Sequence, residues 1–197
     1  MPFHDKLGPR NSYMAPGGIY FWTATINGWR RLLDPDPFKD QIIGSLHTLS
    51  QRRMIDVFGF VIMPNHMHLV WRTNALNGKE TPQGSLLKFT AHQFKQMLII
   101  EGGQDALKPF SVQAHNKKFE FWQRDSLAIS LINLPMAVQK LTYTHNNPLT
   151  DRWRLADSAE GYKYSSARFY ATGIDDFGFL KNLYDEFPMT GNLSVVL

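Results

Sequence analysis

The stretch Phe60-Val61-Ile62-Met63-Pro64-Asn65-His66-Met67-His68-Leu69-Val70-Trp71 reads as two apolar strands joined by a tight Pro-Asn turn. Side chains two apart on a strand share a face. His66 and His68 therefore project together, while Met67 and Leu69 project to the other side. Two imidazoles side by side on a rigid strand make half of a divalent-metal site. The competing reading is a pair of edge histidines satisfied by hydrogen bonds, which a lone H-x-H does not exclude.

Working outward, residues 18–27 are rich in β-branched and aromatic residues and predict a first strand, ended by Asn27-Gly28. Phe38, Ile42, Ile43, Leu46 and Leu49 recur at helical spacing, so 38–53 predicts a first helix. Residues 55–63 are nearly all apolar, as in a strand buried on both faces. Residues 66–72 follow as its antiparallel partner. Leu86, Leu87, Phe89, Phe94, Met97 and Leu98 mark a second amphipathic helix over 85–100, with Lys88, His92 and Lys95 off its stripe. An aromatic strand is expected at 118–123. A third helix is expected from Asn133, as N-cap, to about Asn146, with Pro135 tolerated in its first turn. Pro148 ends it, because a residue before proline is pushed from helical geometry. The order strand, helix, strand, strand, helix, strand, helix is an α+β, ferredoxin-like split βαβ with an antiparallel sheet and an appended C-terminal helix. Two helices cover one sheet face and leave the other for the extra helix or a ligand.

The appended helix ends in Leu141-Thr142-Tyr143-Thr144-His145-Asn146-Asn147-Pro148. Tyr143 and Asn147 are four apart and share a helix face. A phenol with a polar ligand one turn later suits a nuclease that forms a phosphotyrosine. The phenol attacks a phosphodiester, and a metal held by two histidines and a third side chain takes up the developing charge. The competing reading is an amphipathic helix with Tyr143 at the surface and Asn147 as its C-cap.

Together these motifs resemble the HUH single-tyrosine transposase superfamily, and most closely its REP-associated tyrosine transposase branch. Residues 58–71 match the histidine strand and 85–94 the second helix. Phe121-Trp122-Gln123-Arg124-Asp125 resembles the W-Q-R strand, 143–148 the nucleophile helix, and Tyr164-Ser165-Ser166-Ala167 the downstream Y-S-S turn. The blocks occur in order and span about 18–171. The resemblance implies cleavage and rejoining of single-stranded DNA through a 5′-phosphotyrosine, supported by Mg²⁺ or Mn²⁺. It implies His66 and His68 as metal ligands, Tyr143 as nucleophile and Asn147 as third ligand. The DNA would lie beside a hairpin or palindromic repeat, and the branch is expected to act as a monomer, while other members of the superfamily dimerise. One departure is Ser126-Leu127-Ala128-Ile129-Ser130-Leu131, which is more apolar than the family's segment there. Residues 1–17 read as an arm, 18–171 as the catalytic domain and 172–197 as a tail without a counterpart.

Composition agrees with this reading. The net charge of +4 suits a polyanionic partner without requiring one. Lys117-Lys118 and Trp122-Gln123-Arg124 offer a candidate DNA surface of cations and a stacking ring. Its alternative is a core Trp and solvated cations. No cysteine is present, which excludes disulfides and thiolate chemistry and fits a cytoplasmic protein. Residues 1–18 have no apolar h-region, so no signal peptide is expected there, and no apolar run is long enough for a membrane span. His92 reads as a surface residue. His145 is two residues from Tyr143 and points away from it along a helix. Two other functions compete: a catalytically silent single-strand binder on the same fold, and an H-x-H metal hydrolase, for whose barrel the chain is too short.

Overall fold

The computed structural model describes residues 13–114, 117–124 and 126–187. Asp125, the first twelve residues of the arm and residues 188–197 lie outside them. The fold mixes helices with antiparallel sheet. Its elements are β1 (Ile19–Thr25), α1 (Asp36–Gln51), β2 (Ile55–Ile62), β3 (His66–Thr73), α2 (Pro82–Gly102), β4 (Ser111–Ala114), β5 (Lys117–Phe119), β6 (Leu127–Ser130), α3 (Leu134–Asn146) and α4 (Ala167–Thr172).

The main sheet has the order β2-β3-β1-β6, antiparallel throughout, and β4-β5 form a separate hairpin. The strand expected at 118–123 is therefore divided. Lys117–Phe119 pairs with β4, only Trp122 reaches β1, through a bridge to Ile26, and the fourth ladder is Leu127–Ser130 against Tyr20–Thr23. The physical reason is burial. Phe121 and Trp122 turn into the core beneath α2, and the chain regains the sheet edge with the apolar run whose departure from the family pattern stood out.

The β2–β3 turn is closed by the Met63 amide donating to the His66 carbonyl. Its other carbonyls are engaged from outside: Leu33 donates to Pro64, and Ile26 donates to Asn65. In β2 the register shifts between Val57 and Gly59. The bulge turns Phe58 and Gly59 to the same side, which keeps Phe60 and Ile62 on the α1/α2 side.

The sheet separates two apolar clusters. On one face Trp22, Met67, Leu69 and Trp71 pack with Phe38, Ile42 and Leu46 of α1 and Leu86 and Phe94 of α2. Phe89, expected on the buried stripe of α2, is 47% exposed. Thr90 takes the inner position instead, donating to the Leu86 carbonyl and accepting the Trp122 indole N–H. On the other face a smaller cluster of Phe21, Phe58, Val70, Ala137, Leu141 and Leu183 seats α3. The stretch after α4 joins the body too: Phe179 and Leu183 are buried, and Lys181 donates its amide to the Val57 carbonyl on the edge of β2.

α3 starts as its sequence dictates. The Asn133 side chain accepts the Met136 amide, and Pro135 occupies the first turn. Its close approach to the sheet depends on Gly59, where an added Cβ would stand 2.3 Å from Leu141 Cδ1. Leu141 is buried in the cluster that seats α3, so yielding would disturb that packing. Gly59→Ala is therefore expected to destabilise the fold by about 1–3 kcal/mol, read as a lower urea midpoint. An unchanged midpoint would show that α3 does not need this approach. No helix among the described residues is long and apolar enough to cross a membrane.

Candidate functional site

The register of β1 with β3 sets Thr23 opposite His68 and Thr25 opposite His66. Both imidazoles thus point to the α3 face, their rings 4.8 Å apart. Each is held at Nδ1 from within the sheet. His68 Nδ1 meets Thr23 Oγ1 at 2.8 Å, and His66 Nδ1 meets Asn65 Oδ1 at 2.7 Å. The Asn65 amide nitrogen donates to the Trp29 carbonyl, which fixes its oxygen toward His66. Nδ1 tethers of this kind orient Nε2 of metal-binding histidines.

Both side chains are buried and resist protonation. Burial, then the Arg152 charge, brings His66 down to about 4, partly offset by its hydrogen bond with the Asn147 side chain. His68 lies well below the ordinary value through burial, with smaller contributions from His66 and Lys140. His68 Nε2 is buried without a hydrogen-bond partner among the described residues.

α3 brings Tyr143 to this pair. Its ring meets His68 edge-on at 5.3 Å and Phe21 at 5.9 Å, and the side chain is 51% exposed. Lys140, one turn earlier, sits over both rings, 5.1 Å from Phe21 and 5.8 Å from Tyr143. Asn147 is buried where α3 passes into a short 3₁₀ turn, Asn147–Leu149, and its amide reaches His66. The structure thus gathers His66, His68, Tyr143 and Asn147 at one place. Other tyrosine hydroxyls are engaged elsewhere: Tyr162 donates to the Ile62 carbonyl, Tyr164 to Asp40 and Tyr170 to the Phe58 carbonyl.

The residues present suit a divalent ion in part. Two neutral imidazoles and an amide oxygen form a mixed N/O donor set, and the unpaired Nε2 of His68 is a buried polar atom that such an ion would satisfy. Among the described residues no group of three or more His, Cys, Asp or Glu is placed to hold a metal. Any site here must use Asn147 or exogenous oxygens.

Of the expected DNA surface, the structure removes the stacking ring and leaves the three cations at the surface. Trp122 is buried with its N–H donated to Thr90, which leaves no ring face for a base. Its neighbours Phe94 and Phe121 belong to the same core, so the indole is packing material. Lys117 and Arg124 both pair with Glu120, and Lys118 is exposed on the small hairpin. His92 is exposed on α2, as expected, with no part in the cluster.

Sequence reading missed the supports. Ser166 of the Y-S-S turn binds His145 Nε2 at 2.8 Å and also accepts the Phe60 amide, which pins α3 to the edge of β2. Thr23 gave no signal, since its role depends on strand register. Trp29 and Trp153 flank His66 at 6.4 and 6.0 Å.

Burial also brings His145 down to about 4. The unfolded chain takes up protons near the ordinary histidine value of about 6.5, while folded His66 and His145 refuse them until about 4. Folding stability is therefore fully present above about pH 6.5 and falls as pH drops toward about 4, by a few kcal/mol in order of magnitude. Urea midpoints measured across this window check it; a flat profile would contradict the burial of these imidazoles.

No family model matches the sequence, and no curated protein matches it. Among solved structures, a REP-associated tyrosine transposase bound to a REP hairpin is similar, with a TM-score of 0.58, 17% sequence identity, and coverage of 89% of this chain and 93% of that one. The chain is thus similar in fold, over nearly all of its length, to a REP-associated tyrosine transposase, the branch whose motifs its sequence resembles.

Proposed function

We propose that the protein is a DNA strand nickase and transferase that works through a 5′-phosphotyrosine. The observation that carries this reading is the meeting of Tyr143, on one helix, with the His66–His68 pair on a facing strand. The sheet order β2-β3-β1-β6 then serves as a ferredoxin-like platform, residues 18–171 form the catalytic domain, and α3 is the nucleophile helix. The arm, 1–17, and the segment from 172 flank it.

His66 Nε2, His68 Nε2 and the Asn147 side-chain oxygen would hold Mg²⁺ or Mn²⁺. When bound, such an ion polarises the scissile phosphate and stabilises charge in the transition state. The Tyr143 oxygen attacks phosphorus. A Tyr–O–P bond forms and the P–O3′ bond breaks, with the phenolic proton passing, on balance, to the leaving 3′ oxygen. Lys140, 5.8 Å from the Tyr143 ring, supplies a cation for the charge of the scissile phosphate. Thr23 and Asn65 keep the imidazoles oriented. The phosphodiester energy stays in the phosphotyrosine, so rejoining is the reverse step and needs no nucleotide cofactor.

The substrate in this reading is single-stranded DNA beside a hairpin, bound by a monomer. Incubation with such DNA and Mn²⁺ should give a covalent protein–DNA adduct, and binding should weaken steeply with salt because phosphate contacts release counterions. Equal affinity for a full duplex and for the single strand at one salt concentration would contradict the assignment.

A further inference from the structure

The loop after β1 holds Trp29 in the left-handed region, at φ 57, with its side chain 52% exposed. A bulky residue persists there only when its surroundings over-determine it, and such strain gathers at functional positions. The surroundings are specific. Asn65 clasps the Trp29 carbonyl with its amide nitrogen and His66 Nδ1 with its oxygen. The exposed indole is thereby tied to the histidine strand.

A second indole approaches His66 from another segment. After Asn147 the chain turns tightly: Thr150 Oγ1 donates to the Asn147 carbonyl, and the Trp153 amide donates to the Thr150 carbonyl. This turn brings Trp153 within 6.0 Å of His66. The Trp153 ring also carries two guanidiniums, Arg31 at 5.7 Å and Arg152 at 5.2 Å. Arg31 is shared with Asp34, whereas Arg152 has no ion pair among the described residues. Indole faces with adjacent arginines form a stacking platform for an unpaired base, with cations for its phosphates.

The position fixes which base. Tyr143 meets the histidine pair through His68, and the two tryptophans meet it through His66. In a phosphoryl displacement the attacking and leaving oxygens lie roughly in line. On the phosphotyrosine reading, the leaving 3′ oxygen departs on the side away from Tyr143, and the two tryptophans lie beside the other imidazole.

We propose that Trp29 and Trp153 form a cradle for the unpaired nucleobase next to the leaving 3′ oxygen, with Arg31 and Arg152 facing its phosphates. The cradle rests on the phosphotyrosine reading for its orientation and keeps the released 3′-hydroxyl strand in place for rejoining.

The test uses fluorescein-labelled oligothymidine and the same strand with bromodeoxyuridine in place of thymidine. Trp29→Ala and Trp153→Leu should each weaken binding of the labelled strand about 10-fold, while Trp153→Phe restores most of the affinity. Irradiation of the brominated strand should crosslink it to Trp29 or Trp153, located by peptide mass spectrometry. Where the strand is cleaved, the crosslinked base should belong to the fragment that ends in a free 3′-hydroxyl. Unchanged affinity in both variants, with crosslinks elsewhere, overturns the cradle. Crosslinks confined to the tyrosine-linked fragment overturn its placement. Tryptophan crosslinks without any covalent adduct keep the cradle and remove the phosphotyrosine chemistry instead.

Discussion

Tyr143→Phe is expected to eliminate the covalent protein–DNA adduct while leaving folding and DNA binding close to wild type. The substitution removes one oxygen from a half-exposed ring whose packing against Phe21 and His68 is unchanged. Loss of a covalent nucleophile is a loss of the whole step, so the expected drop is to background. Other tyrosine hydroxyls are poor substitutes, Tyr170 on this face and Tyr164 on the α1 side of the sheet. Tyr170 donates to the Phe58 carbonyl and Tyr164 to Asp40, and burial pushes both up to about 12. Mass spectrometry of the wild-type adduct should place the modification on the peptide containing Tyr143. An adduct retained by the Phe variant would assign the nucleophile to another residue.

The second large effect concerns the ion. His68→Ala should weaken Mn²⁺ binding by at least about 100-fold, since tethers to ligating histidines alone are worth about 10–100-fold. Thr23→Val, which removes only the hydroxyl at Nδ1, should fall within that smaller range. Calorimetric titration with Mn²⁺ ranks the two. Wild-type affinity in His68→Ala would show that the imidazole pair is structural, held by Thr23 and Asn65 for packing alone. His68→Ala also loses the Thr23 hydrogen bond and the stacking on Phe21, so circular dichroism should first show the variant folded before its titration is compared.

Strand and helix positions that rest on short-range pattern were legible in the sequence. The period-two placement of His66 and His68 and the Asn133 cap depend on neighbours a few residues away. So does the pairing of Tyr143 with Asn147 along one helix. The break expected before Pro148 is softer than the pattern implies: Asn147 keeps helical angles, φ −55 and ψ −43, and the chain passes through Pro148 as a 3₁₀ turn. What pattern does not encode is how an aromatic segment divides between core and sheet edge. For Phe121-Trp122 a stacking ring and a core indole both stayed open, because alternation there is too short to set a face. The indole N–H found its acceptor in Thr90, thirty-two positions earlier in the chain. The supports of the site were hidden for a related reason. Thr23 faces His68 only through register, and Trp153 reaches His66 only through the turn after Asn147. Lys140 was within reach of reading, since three positions on a helix bring it over Tyr143.

The two unequal clusters on either side of the sheet have a kinetic meaning. The histidines take their Nδ1 partners from β1 and from the β2–β3 turn, whereas Tyr143 and Asn147 both ride on the helical segment seated over the smaller cluster. Regions with fewer buried contacts open at lower free energy than the global transition. A sub-global excursion of α3 would therefore leave the imidazole pair oriented in the sheet and carry away the Tyr143 oxygen and the Asn147 amide as one unit. On the proposed mechanism, docking of α3 would thus gate the reaction, because whenever the helix is away both of its contributions are missing together.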